Sequence, residues 1–272
     1  MAREKVSIYV VTHKDVKNKI KLKDYYYIGV GSNKDINADI FDNNGNDNIS
    51  NKNDNYCELT AQYWIWKNDT SDIVGLCHYR RLFYNPYLSI FYNWYLKSNK
   101  IKKIINKYDI IVPKKFCVKN PKINTIYEHY CDQHYKKDID NVREIIKLKY
   151  NKYLIAFDKF MNSSNCCLFN MMITSKKIYD EYSEFLFGVL FELEKLTDLT
   201  GYNNYQKRIY GFLGERLLNV FIIAHPEYKI KEQSVVFLSN KIVFFEYIKK
   251  IIKKLFFIKE KAIYYPPNKW KY

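Results

Sequence analysis

Two hydrophobic spacings alternate along this chain: short apolar runs of strand length, and apolar positions that recur every three or four residues. Val6 to Thr12 (VSIYVVT) and Tyr25 to Val30 (YYYIGV) are runs rich in β-branched and aromatic residues, and both predict strands. Each closes on small or polar positions, His13-Lys14-Asp15 after the first and Gly31-Ser32-Asn33 after the second. Tyr56 to Lys67 (YCELTAQYWIWK) places Cys57, Ala61 and Trp64 on one helical face, with Glu58 in the first turn, and predicts a helix. Asp72 to Phe83 (DIVGLCHYRRLF) opens as a buried strand in which Gly75 admits a close neighbour, then breaks into His78, Tyr79, Arg80 and Arg81. Strand, strand, helix, strand is the order of an α/β sheet.

The second half continues in the same style. A helix is expected over 89–107, then a short strand from Asp109 to Val112 stopped by Pro113, then two or three helical pieces between Ile123 and Phe160. Cys166 to Thr174 (CCLFNMMIT) predicts an apolar strand interrupted by one polar residue, Asn170. Ser175 is a good N-cap for the most regular helix, whose core face is Ile178, Tyr182, Phe185, Val189, Leu193 and Leu196. A helix from Tyr205 to Ala224 carries GFLGERLLNVF, and a strand from Tyr228 to Leu238 closes the compact part. The Asn- and Asp-rich tract from Asp42 to Asn55 is compatible with disorder or with an ordered loop ending in a helix cap.

Composition adds a domain boundary. A chain of 272 residues can bury one sizeable core with an appendage. We divide it into a domain over 1–240 and a basic tail over 241–272, where Phe244, Ile248, Ile251, Ile252 and Leu255 face away from Lys249, Lys250, Lys253 and Lys254. That pattern suits a helix lying in an anionic membrane interface; a helix docked on its own domain with solvated lysines is the plain alternative. The net charge of +16 favours anionic partners. Lysine supplies most of it, and only six arginines occur: Arg3, Arg80, Arg81, Arg143, Arg208 and Arg216. The N-terminus lacks an apolar run of signal-peptide length, and no uncharged apolar run reaches about 18 residues, so a cytoplasmic protein without a membrane span is expected. Six cysteines without a C-x-x-C pair are expected to be reduced thiols.

The chemistry concentrates at strand ends. An open α/β sheet binds its ligand beyond the carboxyl ends of its strands, where His13, Lys14, His78, Tyr79, Arg80 and Arg81 fall. Adjacent arginines suit a phosphate or diphosphate, although solvated or ion-paired arginines fit the same letters. Fixed cations can stabilise a departing nucleoside diphosphate as a metal ion would, and no D-x-D pair stands at the end of the central strand. Asp138-Ile139-Asp140 has the spelling but a helical setting. His129, Cys131 and His134 lack the separated ligand pairs of a zinc site and read as core or hydrogen-bonding residues. Glu215, among apolar neighbours, is a candidate general base, or a structural partner of Arg216. Asn170, if buried, must find partners in ligand or loop. P-loop, nucleophile-elbow and dinucleotide motifs are absent.

Together these stretches resemble a known family. VTHK (11–14), GSN (31–33), YCELTAQYWIWKN (56–68), GLCHYRRLF (75–83), EHY-x-x-x-H (128–134), NMMI (170–173) and GFLGERLLNV (211–220) are similar to a bacterial galactofuranosyltransferase domain first catalogued as a domain of unknown function. It occurs in capsule, O-antigen and exopolysaccharide gene clusters, and the resemblance covers about residues 5 to 238. It implies a GT-A-like α/β fold and inverting transfer of galactofuranose from UDP-galactofuranose to a lipid-linked glycan, without a metal cofactor. Carried onto this sequence, it implies that Thr12, His13, Lys14, His78, Tyr79, Arg80, Arg81, Asn170 and Arg216 bind substrate, with Glu215 as base. The expected partners are the UDP-sugar, the glycan acceptor and the inner face of the cytoplasmic membrane, and not nucleic acid. A basic nucleic-acid-binding protein and a non-catalytic scaffold are the rival readings.

Overall fold

The computed structural model describes residues 4–17, 19–31, 35–45, 47–85 and 95–238. The basic tail, Ser32, Asn33 and the start of the helix expected from residue 89 lie outside them. β1 (Val6–Thr12) is buried at every position because strands flank it on both sides and both of its faces are covered. Its alternation sends Tyr9 and Val11 into one core, and Val6, Ile8 and Val10 into a second. β2 (Tyr25–Gly29) and β4 (Ile73–His78) pair with β1 in parallel, and β3 (Ile40–Phe41) extends β2. On the other side, β9 (Met172–Ser175) runs antiparallel between β4 and β6 (Ile110–Pro113), and β10 (Ile230–Gln233) runs parallel to β6. The strand order is therefore β10-β6-β9-β4-β1-β2-β3. The chain moves one way from β1 to β3 and returns to β1's other side as β4, a reversal of order that opens a crevice at these strands' C-terminal ends. The mixed sheet between helices is the α/β architecture expected.

The larger core lies under α2 (Leu59–Asn68) and under α4 (Ile126–Gln133), α5 (Lys136–Lys149), α6 (Leu154–Met161), α7 (Lys176–Leu196) and α8 (Ile209–Ala224). The smaller core lies under α3 (Ser98–Ile105). Ser175 does cap α7, accepting from the Ile178 N–H, and α7 buries Ile178, Tyr182, Phe185, Val189 and Leu193 at roughly 1.5–3 kcal/mol each. Leu196, expected on that face, is 64% exposed because the helix ends there. The Asn- and Asp-rich tract is an ordered loop: Asp42 is buried and accepts from Ser50 Oγ at 2.5 Å.

Three expected elements are broken, the first two where side chains take backbone groups. The helix from Tyr56 stops after one turn, α1 (Asn53–Tyr56), because Cys57 sits at φ +52°, ψ −128°. Its carbonyl goes to Asn53 Nδ2 at 2.7 Å and to Thr60 Oγ1 at 3.1 Å, and along the backbone to the Thr60 N–H at 3.3 Å. The run CCLFNMMIT is two segments. β8 (Asn165–Cys166) pairs with β7 (Phe116–Cys117) outside the main sheet, and a turn at Phe169 (φ +80°) and Asn170 (φ +48°) precedes β9. The closing strand divides after Gln233 into β10 and β11 (Val235–Phe237), the latter crossing to β5 (Arg81–Phe83). All six cysteines are free thiols; Cys117 is exposed.

Candidate functional site

β1 and β4 deliver their ends to one place. Val11 is in register with His78, and the Tyr79 N–H donates to the Val11 carbonyl at 3.0 Å, so the HK and HYRR segments leave the sheet side by side. Thr12 is buried and its hydroxyl donates to the Lys14 carbonyl at 2.5 Å; it shapes the bend that presents His13 and Lys14. The ring of Tyr79 gathers three of these groups. The His13 ring lies edge-on at 5.5 Å, Lys14 Nζ at 5.6 Å and the Arg80 guanidinium at 5.1 Å. Partial burial, then the positive charges of Lys14, Arg80 and Arg208, lower the His13 pKa, opposed by Glu58.

Arg80 and Arg81 divide. Arg81 begins β5, and its guanidinium packs between Phe169 at 4.5 Å and Phe237 at 5.8 Å. It lies beside His78, whose Nε2 contacts the Phe169 carbonyl and whose pKa is lowered by burial and by Arg81 while Glu58 opposes the shift. The two guanidinium groups therefore rest on different rings, Arg80 on Tyr79 and Arg81 on Phe169 and Phe237.

α8 buckles the left-handed turn to the sheet. Glu215 Oε1 accepts from the Phe169 N–H at 2.9 Å, and Asn219 closes a two-point clasp on the Cys167 N–H and carbonyl at 2.9 and 2.8 Å. Asn170 is buried; its amide donates to Glu58 Oε1 at 2.7 Å and to the Gly211 carbonyl at 3.0 Å. The glycines in GFLGER make this approach possible. A Cβ on Gly214 would lie 2.9 Å from Leu59 Cδ1 and 3.0 Å from Asn170 Oδ1, and one on Gly211 would lie 3.3 Å from Cys57 Cβ and Sγ. Burial raises the Glu215 pKa, Arg216 opposes, and Glu58 adds to the rise. Arg216 itself is buried, held on the Phe212 carbonyl at 3.0 Å, Glu215 Oε2 at 2.9 Å and the face of Tyr130 at 5.3 Å. It orients Glu215 from behind.

Three residues outside the expected set belong here. Glu58 acts electrostatically on both His13 and His78, and its carboxylate accepts from Asn170. Cys57 makes the strained turn beside it, and Arg208 donates from Nε to Cys57 Sγ at 3.2 Å from the turn preceding α8. The scarcity of arginine was the available signal for Arg208. Of the five described arginines, Arg80, Arg81, Arg208 and Arg216 converge here, and Arg143 is forked on Asp158 at 2.7 and 2.8 Å. Asp138 and Asp140 accept from Tyr202 and Tyr127 and hold α5 in place. His134 is stacked on Phe212 at 4.2 Å, and burial with the nearby Arg216 charge lowers the pKa of His134 to about 3 and of His129 to about 4.

Residues 7–226 match the sequence family described as a domain of unknown function, DUF4422. The chain belongs to that family. A solved structure described as the apo form of WbbM, a bifunctional glycosyltransferase, is similar to this DUF4422 chain with a TM-score of 0.78 and 30% identity. The similarity covers 86% of this chain and 45% of that one, so the DUF4422 chain spans less than half of WbbM's length. The fold is that of a glycosyltransferase, as the resemblance implied. No curated protein matches this DUF4422 sequence.

Proposed function

We infer that this chain is a glycosyltransferase that uses a UDP-sugar, with galactofuranose as the group moved, to extend a lipid-linked surface glycan with inversion. The observation that carries the reading is the meeting of Lys14, Arg80 and Arg208 around His13 and Tyr79 at the sheet's switch point. The structural likeness to WbbM supports glycosyl transfer in general. In the reaction, the acceptor oxygen forms a bond to the anomeric carbon as the bond to the β-phosphate oxygen breaks, and UDP leaves with the electron pair. Fixed cations at that oxygen stabilise the charge as it develops, and cost no reorganisation at the moment of reaction.

A reaction without a metal cofactor is part of this reading, because cationic side chains stand where a metal-binding D-x-D pair would. The end of β4 carries His78-Tyr79-Arg80-Arg81, and the lowered pKa of both His13 and His78 leaves neutral rings beside permanent cations. Among the described residues no helix is long and apolar enough to cross a membrane. Attachment to the inner face of the cytoplasmic membrane would rest on the basic tail.

The test is turnover of the full chain with a panel of UDP-sugars, read as UDP release, with and without EDTA. UDP-galactofuranose should be consumed at the same rate in both. Absence of turnover with every UDP-sugar would overturn the reading, and loss in EDTA restored by Mn²⁺ would overturn its metal-free part.

A further inference from the structure

Two carboxylates flank the Phe169–Asn170 turn, and their surroundings assign them different work. Each oxygen of Glu215 already holds a donor: Oε1 takes the Phe169 N–H and Oε2 takes Arg216 Nη1. A proton arriving there would weaken the backbone bond and neutralise one side of a buried ion pair. Glu58 holds Asn170 Nδ2 through Oε1 at 2.7 Å, while Oε2 has no hydrogen-bond partner among the described residues. Glu58 is half-buried, with electrostatic contact to His13 from β1, His78 from β4, Cys57 beside it and Glu215 from α8.

The backbone that carries Glu58 points the same way. Cys57 adopts φ +52°, ψ −128°, a region that residues with a side chain rarely occupy. That conformation breaks a helix the sequence would otherwise continue, and sets Glu58 as the N-cap residue of α2, without a side-chain capping bond of its own. Glu58 is thus held by Asn170 and by a strained residue, and its side chain satisfies no backbone group of its helix. Strain of this kind collects where a side chain must be aimed.

We propose that Glu58 is the general base, taking the proton from the acceptor hydroxyl on Oε2 as its oxygen attacks the anomeric carbon and UDP departs. Glu215 is the positioning residue: it fixes the Phe169–Asn170 turn, and Asn170 fixes Glu58. This assignment rests on the transferase reading and moves the base from the helix to the strained turn.

The experiment compares the full-length wild type with Glu58→Gln, Glu58→Asp and Glu215→Gln, using the UDP-sugar the wild type turns over. UDP release gives kcat, calorimetry gives UDP affinity, and thermal melting reports the fold. Glu58→Gln is expected to lose roughly 100-fold or more in kcat, with UDP affinity unchanged and melting lowered by no more than a few degrees, since Gln keeps an oxygen for Asn170. Glu58→Asp should recover part of that loss, and Glu215→Gln should lower the melting temperature. Glu58→Gln within tenfold of wild type, or weakened in UDP binding to the same degree as in turnover, overturns the proposal. So does a Glu215→Gln that melts normally yet loses 100-fold in kcat. A wild type that neither binds UDP nor turns over any UDP-sugar fails before a variant is made, and then the transferase reading falls and takes this assignment with it.

Discussion

The guanidinium of Arg81 rests on the face of Phe169, 4.5 Å from the ring centroid, and so ties β5 to the turn that α8 holds. A flat, delocalised cation is needed for that contact, and lysine does not supply it. Arg81→Lys should therefore lower stability by about 1 kcal/mol. Arg80→Lys, which keeps a charge near Tyr79 at the crevice edge, should stay within about 0.5 kcal/mol of wild type. Urea denaturation of the two variants checks both, and equal losses would show that the arginines do share one role.

Asn170 combines a left-handed backbone with two buried hydrogen bonds. Asn170→Ala removes the amide and leaves an L residue at φ +48°, whereas Asn170→Gly removes the amide but accepts the backbone. Losing the bond to the Glu58 carboxylate should cost both variants roughly 1.5–3 kcal/mol. Asn170→Ala should be less stable than Asn170→Gly by about a further 1 kcal/mol. Equal stabilities by urea denaturation would argue against a strained turn.

Gly214 sets two effects against each other. Alanine favours a helix interior over glycine by about 1 kcal/mol. Here its Cβ would meet Leu59 and Asn170 Oδ1 within about 3 Å, and overpacking of this kind costs roughly 1–3 kcal/mol. Gly214→Ala should therefore be destabilised in thermal melting. Gly201→Ala, where an added Cβ meets nothing within 4 Å, should not be.

The helical glycines, the strand ends and the scarce arginines were all legible in the sequence, because each rests on residue type and position along one element. So were β1, β2, β4 and α7, whose apolar spacing matches the faces they bury. The breaks at Cys57 and Asn170 were not. The break at Cys57 has local side chains, Asn53 and Thr60, on its carbonyl and the distant Arg208 on its sulfur, and the break at Asn170 depends on the distant Glu58 and Glu215. A periodicity argument sees Glu58 as an ordinary first-turn acid. Only the fold shows its carboxylate bound to Asn170, 112 residues away, and making no cap bond to its own helix.

His134 offers a pH test of the packing behind the site. Its folded pKa is lowered to about 3 by burial and by the Arg216 charge, against an ordinary 6.5. Between those values the unfolded chain binds a proton that the folded one refuses, so stability falls as pH drops from about 6.5. The slope contributed by this one group is at most about 1.4 kcal/mol per pH unit. His134→Gln keeps a polar group opposite Gln206 without a titrating proton, and its urea midpoint should vary less with pH over that window. Parallel pH profiles would contradict the assignment.

The central claim is that fixed cations at the ends of β1 and β4 receive the diphosphate, and the most direct measurement is calorimetric titration of UDP into the full-length protein. Wild type should bind UDP equally well in EDTA and in Mn²⁺, and Arg80→Ala should weaken binding by roughly tenfold or more, the loss of one charge-assisted contact. Binding that vanishes in EDTA, or an Arg80→Ala affinity equal to wild type, would contradict it.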